Sequence, residues 1–398
     1  MKKSLIALAV LGAIAGAAQA QSSVTIYGIV DTGIVYTSKV STATGANGLS
    51  SNNGSKFSVN SGVIQGSRLG FKGVEDLGGG LKALFQLEAG FNNDTGALNG
   101  QDKAPSGTVN LFRRKSVVGL GGNFGSVLLG RQTDILDDVS QWTSVQDFGG
   151  VTGTVGHNLD RLEGTRTNNS IRYNTPDLSG FTGSLIYGFG ETAGKTSAGQ
   201  SFGLGGQYAN GPLGLFAAYY QSKLGTTASD TSILGSTAFA GHGSAGDTAL
   251  KTFSLGASYQ VGPARLYGNW SRTKQPLAFS STAATTGVIQ PGSFTVGSFN
   301  NTKADIFELG VNYAVTAPLH LLASVQYNKL TFADAGSAKG KLTQINLGTD
   351  YFLSKRTDLY AFVSNLRAKD AVNPGVFGDS TGSDNNQTAV AVGIRHKF

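Results

Sequence analysis

The chain has 398 residues, 58 glycines, a formal net charge of +7 and only 14% charged residues, an unusual composition for a globular domain of this size. It contains no cysteine, so a disulfide framework and a thiolate metal site are both excluded. The positive excess is modest and no basic run of five or more residues occurs, which argues against a nucleic-acid-binding protein.

The first twenty residues have the pattern of a secretory signal peptide. Lys2 and Lys3 form a positive start, a short apolar core follows, and Ala18-Gln19-Ala20 is a small-x-small cleavage site. The apolar core is too short to span a bilayer comfortably, which makes a membrane helix the weaker interpretation. We therefore predict that residues 1–20 are removed on export and that residues 21–398 form a single domain.

The first segment after the cleavage site alternates between two faces. One face collects Val24, Ile26, Val30, Ile34 and Tyr36, and the other collects Thr25, Tyr27 and Asp31. This period of two is typical of a β-strand with one apolar and one wet face. No later apolar run is long enough to predict a membrane-spanning helix.

The same alternation recurs along the chain in sixteen segments. They lie near 24–37, 57–75, 81–91, 110–121, 126–131, 168–175, 181–189, 202–209, 213–221, 252–260, 264–272, 304–315, 319–328, 342–352, 358–366 and 388–398. The last segment is the most regular, with Val390, Val392 and Ile394 on one face. Arg395 and Lys397 lie on the other face, beside small residues.

The connections between these segments alternate in length. Short ones, rich in Gly, Pro, Asn, Asp and Ser, follow every even strand, and long ones follow every odd strand. A β-sandwich or a propeller has no reason to place every long connection at one end, whereas an outer-membrane barrel does. An even number of strands also lets the sheet close and removes the edges that lipid cannot satisfy. The sequence thus predicts an all-β fold, a sixteen-stranded antiparallel transmembrane β-barrel.

One long connection differs from the others because it carries several acids and lies between arginine-bearing strands. It runs from Gln132 to Thr167. Irregular segments of this length inside a compact domain are usually functional or disordered. We expect this segment to fold into the lumen and to narrow a water-filled pore.

Several motifs resemble those of the Gram-negative general porins, in the same order along the chain. They are Ser67-Arg68-Leu69-Gly70-Phe71-Lys72-Gly73-Val74-Glu75-Asp76-Leu77-Gly78, Val118-Gly119-Leu120 through Gly125 to Leu129-Gly130-Arg131-Gln132, Asp147-Phe148-Gly149-Gly150, Ser170-Ile171-Arg172-Tyr173-Asn174-Thr175-Pro176 and the terminal Phe398. The resemblance implies a homotrimer of sixteen-stranded barrels in the outer membrane, each with its third external loop folded inward. It also implies passive diffusion of ions and small hydrophilic solutes, contact with outer-membrane lipid and lipopolysaccharide, and no cofactor, catalysis or nucleic acid.

The resemblance further implies a set of charged residues at the pore constriction. Arg68 and Arg114 match the wall arginines of the family, and Asp147 matches the acid at the tip of the inward loop. Arg166 falls close to a third wall arginine, and Arg172 is its neighbour. Arg131, at the start of the inward loop, also belongs to the predicted set, since it could reach the cluster or anchor the loop. Asp134, Asp137 and Asp138 are weaker candidates, because acids in a loop could simply cap turns. The alternative for each arginine is a solvated lumen charge with no special role. Of Arg113, Arg114 and Lys115, one is expected in a bulge or near the rim.

The charge balance of this set predicts anion preference. Three arginines against one aspartate leave two net positive charges, each contributing roughly 0.7 kcal/mol to an anion about 6 Å away in water. The resulting preference is roughly tenfold at low salt and falls as salt screens the charges.

Three alternatives stay open. A substrate-selective channel would need aromatic residues along the solute path, for which the predicted loop offers Trp142 and Phe148. A barrel enzyme would need a nucleophile and base, but no nucleophile elbow occurs, and His157, His242, His320 and His396 lack metal-ligand spacing. An adhesin or structural barrel would have the same strands and a plugged lumen.

Overall fold

The computed structural model describes residues 23–41, 53–98, 110–139, 142–149, 166–191, 193–194, 196–197, 199–223, 249–274, 301–332, 339–370, 373, 375–376 and 384–398. The predicted signal peptide at 1–20, residues 150–165 of the predicted inward loop (with His157), and His242 lie outside the described residues.

The described part of the chain is almost entirely strand. The strands are β1 (Ser23–Ser41), β2 (Asn53–Ser61), β3 (Arg68–Gly78), β4 (Leu81–Gly90), β5 (Lys115–Gly122), β6 (Gly125–Thr133), β7 (Arg166–Asn174), β8 (Phe181–Gly188), β9 (Ser201–Asn210), β10 (Leu213–Lys223), β11 (Ala249–Val261), β12 (Ala264–Lys274), β13 (Asn301–Ala314), β14 (Leu319–Phe332), β15 (Lys339–Phe352), β16 (Thr357–Lys369) and β17 (Asn386–Lys397). Two short helices, α1 (Ile135–Val139) and α2 (Val145–Phe148), lie between β6 and β7. Among the described residues, no helix is long and apolar enough to cross a membrane.

The strands form one closed antiparallel barrel. Except for β2 and β3, each strand pairs with its neighbour in sequence, and β17 pairs with β1 to close the sheet, with Ile29 opposite Lys397. Strand β1 pairs with β3 along its first half and with β2 along its second half. β2 and β3 therefore occupy one position in the wall, and the seventeen segments make the sixteen barrel strands that the sequence predicts.

The predicted strand at 57–75 needs a correction, because it is broken between Ser61 and Arg68. The cause is Asp31 on β1, whose carboxylate accepts the backbone N–H groups of the residues in the break. Val63 donates at 3.2 Å, Ile64 at 3.1 Å and Gln65 at 2.8 Å. These bonds replace the strand ladder and leave the chain free to turn away from the sheet.

Apolar side chains point out of the barrel and polar ones point in. On β17, Val390, Val392 and Ile394 are 42%, 58% and 43% exposed, whereas Ala391 is 1% and Arg395 6% exposed. Large apolar residues with this degree of exposure recur on nearly every strand, while serines, asparagines and glutamines fill the buried side. This inversion of the pattern of a water-soluble protein suits a wall with lipid outside and a wetted interior.

The short connections are tight turns at one end of the barrel. Between β11 and β12 only Gly262 and Pro263 intervene. Gly262 has a φ of +54°, and a Cβ at this position would have no described atom within 4 Å. Because the strands are antiparallel, the long connections join them at the opposite end, as the sequence predicts.

Candidate functional site

The chain between β6 and β7 begins with a helix that packs against the inner wall. Asp134 precedes α1, and its carboxylate accepts the N–H groups of Leu136 at 2.8 Å and Asp137 at 3.2 Å. Ile135 fills the space left by glycines on β9, since a Cβ on Gly205 would lie 2.3 Å from its side chain. Burial raises the pKa of the Asp134 carboxyl well above its usual range. Asp134 thus caps the helix from a site shielded from water.

The next stretch follows the wall to β13 and β14. The indole Nε1 of Trp142 donates to Gln207 at 2.9 Å, and its ring lies over Gly214, which has no side chain to obstruct it. The backbone N–H of Ser144 donates to Glu308, while Gln326 donates to the Ser144 hydroxyl at 3.0 Å. These contacts place the start of α2 against polar side chains of the opposite strands.

Asp147 lies at the end of this stretch. Asn312 donates to its carboxylate at 2.9 Å, and the guanidinium of Arg265 lies 4.0 Å away. Burial raises the pKa of the Asp147 carboxyl, and the contacts with Asn312 and Arg265 partly oppose that rise. Both wall partners lie on strands far from Asp147 in sequence.

The two residues after Asp147 seat the segment on the wall. Phe148 is fully buried and meets Phe362 edge to face, with ring centroids 6.3 Å apart. Gly149 lies against the broken strand, where a Cβ would come 1.7 Å from the carbonyl oxygen of Ile64. Tyr360 donates to Asp31 at 2.7 Å, so the same carboxylate holds the break and the wall behind it.

The wall arginines form a second group around one acid. Glu88 accepts from the Nε of Arg114 at 2.6 Å and from the hydroxyl of Tyr27 at 2.9 Å, and the guanidinium of Arg68 lies 4.0 Å from it. Arg166 donates through Nε to the backbone carbonyl of Arg114 at 2.9 Å. Glu88 therefore holds two arginine heads together that would otherwise repel each other.

Both groups line one cavity of about 770 Å³. Its charged lining residues are Arg68, Arg114, Lys115, Arg166, Arg395 and Lys397 on the cationic side, and Glu88, Asp137, Asp147 and Asp350 on the acidic side. Six cations against four acids leave an excess of two positive charges. Arg68, Arg114, Arg166 and Asp147, which the sequence singles out, are all in this lining.

Two other predicted arginines are outside the lining, on the strands that flank the segment. Arg131 bonds to the backbone carbonyl of Arg113 and to Asn168. Arg172 bonds to Asp138, to the Thr133 carbonyl at 3.0 Å and to Asn174 at 2.8 Å. Burial raises the pKa of Asp138, with the Arg172 charge opposing that rise. Arg172 thus anchors the base of the segment, whereas Arg131 joins the two wall neighbours of β6.

Arg113, Arg114 and Lys115, at the start of β5, have three different environments. Arg113 is 2% exposed, Arg114 reaches Glu88, and Lys115 begins the strand and lines the cavity. Both Arg114 and Lys115 reach the same space because the regular ladder starts only at Lys115. This agrees with the expected irregularity at this point.

The sequence alone does not identify several of the residues that line the cavity. Arg395 and Lys397 lie on the wet face of the last strand, a signal that the alternation already contained. Nothing in the local sequence singles out Glu88 or Asp350, because their importance depends on which strands meet across the barrel.

Comparison with known proteins gives consistent results. A family model described as Gram-negative porin matches residues 7–371. An outer membrane porin protein of Bordetella pertussis is 34% identical and one of Delftia acidovorans is 36% identical, each over 100% of both chains. The solved structure of an anion-selective porin from Comamonas acidovorans has a TM-score of 0.69 and 29% identity, covering 95% of this chain and 100% of that one.

Proposed function

The chain belongs to the Gram-negative porin family, and we propose that its channel prefers anions and that residues 132–167 narrow it. It is an outer-membrane porin, through which ions and small hydrophilic solutes diffuse passively. These residues form the selectivity filter of the channel: Arg68, Arg114 and Arg166 attract anions, and Asp147 lines the same cavity as the three arginines.

The observation that carries this proposal is the charge of the cavity lining. An excess of two positive charges in one cavity of about 770 Å³ lowers the free energy of an anion relative to a neutral solute. At roughly 0.7 kcal/mol per charge about 6 Å away, the preference is of the order of tenfold at low salt. The relative from Comamonas acidovorans, described as anion-selective, supports the same direction.

The narrowing is supported by the contacts of the described part of the segment. Ser144, Asp147 and Phe148 each touch side chains of strands on the far side of the sheet, namely Glu308, Asn312 and Phe362. A chain attached between β6 and β7 reaches those partners by crossing the barrel interior. The proposal extends to residues 150–165 because they connect the two described ends of the same segment.

The experiment is a reversal potential across a planar bilayer separating two concentrations of KCl. The proposal expects chloride to carry most of the current at low salt, with the ratio falling as salt rises, since the Debye length shortens. A potassium-selective channel would overturn the anion preference and leave the channel itself intact.

We further propose that the protein is a homotrimer in contact with lipopolysaccharide, that it catalyses no reaction and that its leader at 1–20 is cleaved. Family membership supports the assembly, and the outward apolar face supports the lipid contact. Migration of the unheated protein at three times the monomer mass, and the N-terminal sequence of the exported chain, test the trimer and the cleavage. Absence of labelling by a serine-directed phosphonate tests the absence of a nucleophile.

A substrate-selective channel is the second candidate. It would use Trp142 and Phe148 to stack on a solute, yet Phe148 is fully buried and Trp142 is held by Gln207 and Gly214. Saturable block of conductance by one solute would favour this candidate over general diffusion.

A further inference from the structure

We propose that the outer surface of β11–β16, at the end with the long connections, binds the phosphate groups of outer-leaflet glycolipid. This proposal rests on the outer-membrane channel described above and assigns its lipid contact to specific residues. The basic surface consists of Lys251, Arg272, Lys274, Lys303, Lys329, Lys341 and Lys369.

The register of the strands brings these residues into two adjacent rows. In the first row Lys274 pairs with Lys251 on one side and with Lys303 on the other. In the second row Arg272 pairs with Asp305, and the row continues through Lys329, Lys341 and Lys369 on the next three strands. Both rows lie on the lipid-facing side, because Phe307 and Leu309, at the same alternate positions of β13, are 43% and 66% exposed.

Among the described residues of these two rows, one is acidic, namely Asp305. It accepts from Arg272 at 2.6 Å and lies 3.8 Å from the ammonium group of Lys303. One carboxylate therefore serves two of the seven cations. The surface keeps a strong positive excess, and its side chains are exposed enough to meet a ligand, with Arg272 40% and Lys303 39% exposed.

A row of aromatic residues lies next to the basic rows, toward the middle of the barrel wall. Trp270, Phe307 and Tyr327 are in register on β12, β13 and β14. The Arg272 guanidinium lies 5.3 Å from the Trp270 ring centre, and the Lys329 ammonium group lies 5.4 Å from that of Phe307. Aromatic belts mark the boundary between hydrocarbon and headgroups. The cations of the second row lie about 7 Å farther along the strands and those of the first row about 13 Å, which places them on the headgroup side of the aromatic row.

On the neighbouring strands β8, β9 and β10 the same row carries no charge. The row that contains Lys251, Lys274 and Lys303 continues in register onto β10, β9 and β8. There its members are Gln221, Phe202 and Tyr187, which carry no charge. The row changes from uncharged to basic at β11, so the basic surface is not a general property of the rim.

The chemistry of the surface fits headgroup phosphates. Lysine presents a compact charge that binds phosphate oxygens from several directions. Six strands about 4.8 Å apart spread the charges over roughly 24 Å, which suits several phosphates held in a layer better than one inorganic ion. A lipid that carries phosphates at its headgroup and acyl chains below them would meet the cations and the aromatic row together.

The test uses the full-length exported protein folded in detergent, with the substitution Trp142→Phe so that Trp270 is the only indole. Titration with bisphosphorylated lipid A is followed by Trp270 fluorescence. Lys329→Gln with Lys341→Gln removes two charges from the basic surface. The matched control is Lys82→Gln with Lys355→Gln, which removes two exposed charges at the short-turn end.

Each lysine near an anionic lipid surface contributes about fivefold to affinity, so the double substitution in the basic surface should weaken binding roughly 30-fold. The control should bind as the parent does, and inorganic phosphate at matched phosphate concentration should not compete. Equal binding by the two double variants, equal binding of dephosphorylated lipid A, or displacement by inorganic phosphate would each overturn the proposal. Bilayer conductance of the same preparations separates this outcome from failure of the channel itself, because conductance should persist in all of them.

Discussion

Gly149 lies so close to Ile64 that a Cβ at position 149 would sit 1.7 Å from the Ile64 carbonyl oxygen. Gly149 also has a φ of +54°, a backbone conformation that residues other than glycine rarely adopt. The contact joins the end of the inner segment to the broken strand. The position of Asp147, two residues earlier, depends on it.

Gly149→Ala should therefore push the segment off the wall. We expect higher single-channel conductance and weaker ion selectivity, because the segment that narrows the channel loses its contact with Ile64. Gly262→Ala is the matched control: Gly262 has the same φ of +54°, but an added Cβ would have no described atom within 4 Å. If both variants conduct as the parent does, the contact with Ile64 does not set the channel width.

Asp31 should be the main support of the broken strand. Asp31→Ala would leave three N–H groups, two of them buried, without their acceptor, and we expect the free energy of unfolding to fall by about 3 kcal/mol or more. Tyr360→Phe removes only the 2.7 Å bond to Asp31 and should cost about 2 kcal/mol. Denaturant unfolding in detergent measures both. An effect of Tyr360→Phe larger than that of Asp31→Ala would contradict this ranking.

Acidification should increase the anion preference through Asp147. Burial raises the pKa of this carboxyl, so as the pH falls it becomes neutral at a higher pH than an exposed aspartate would. Loss of the negative charge of Asp147 increases the net positive charge of the cavity lining. Reversal potentials between neutral and acidic pH should shift toward the chloride potential in the parent protein.

Asp147→Asn isolates that contribution. The variant should be more anion-preferring than the parent at neutral pH and should show a smaller change on acidification, since the Asp147 carboxylate no longer contributes to it. Asp384→Asn, which alters a carboxylate paired with Lys39 away from the cavity, is the control. An unchanged pH response in Asp147→Asn would remove Asp147 from the filter.

Arg172 should act on stability and not on selectivity. Arg172→Gln leaves Asp138 without its ion pair, and we expect a loss of about 2–3 kcal/mol in the free energy of unfolding. This lies at or below the lower end for buried pairs because the Asp138 side chain is 21% exposed. Adding Asp138→Asn should recover part of the loss. Selectivity should change little, and a large change would place Arg172 in the filter.

The barrel could be predicted from the sequence because its signal is local. Alternation such as that from Val390 to Ile394 depends only on neighbouring residues, and lipid outside with water inside enforces it along every strand. The break between Ser61 and Arg68 could not be predicted in this way. It depends on Asp31, which lies more than thirty residues earlier and meets the break only when β1 pairs with it.

The cavity residues likewise include some that the sequence could identify and some that it could not. Arg68, Arg114, Arg166 and Asp147 could be located by family resemblance, and all four line one cavity. Glu88 could not, because its partners come from β1, β3 and the start of β5. Arg395 and Lys397 join the lining only because β17 closes on β1, a contact between the two ends of the barrel.

The most direct test of the central claim compares two matched double variants in planar bilayers under a KCl gradient. Arg68→Gln with Arg114→Gln cancels the excess of two positive charges in the cavity, whereas Arg131→Gln with Arg356→Gln removes the same charge outside its lining. We predict that the parent and the second variant favour chloride roughly tenfold at low salt, and that the first variant loses this preference. Equal selectivity in all three proteins, or preference for potassium in the parent, would contradict the account.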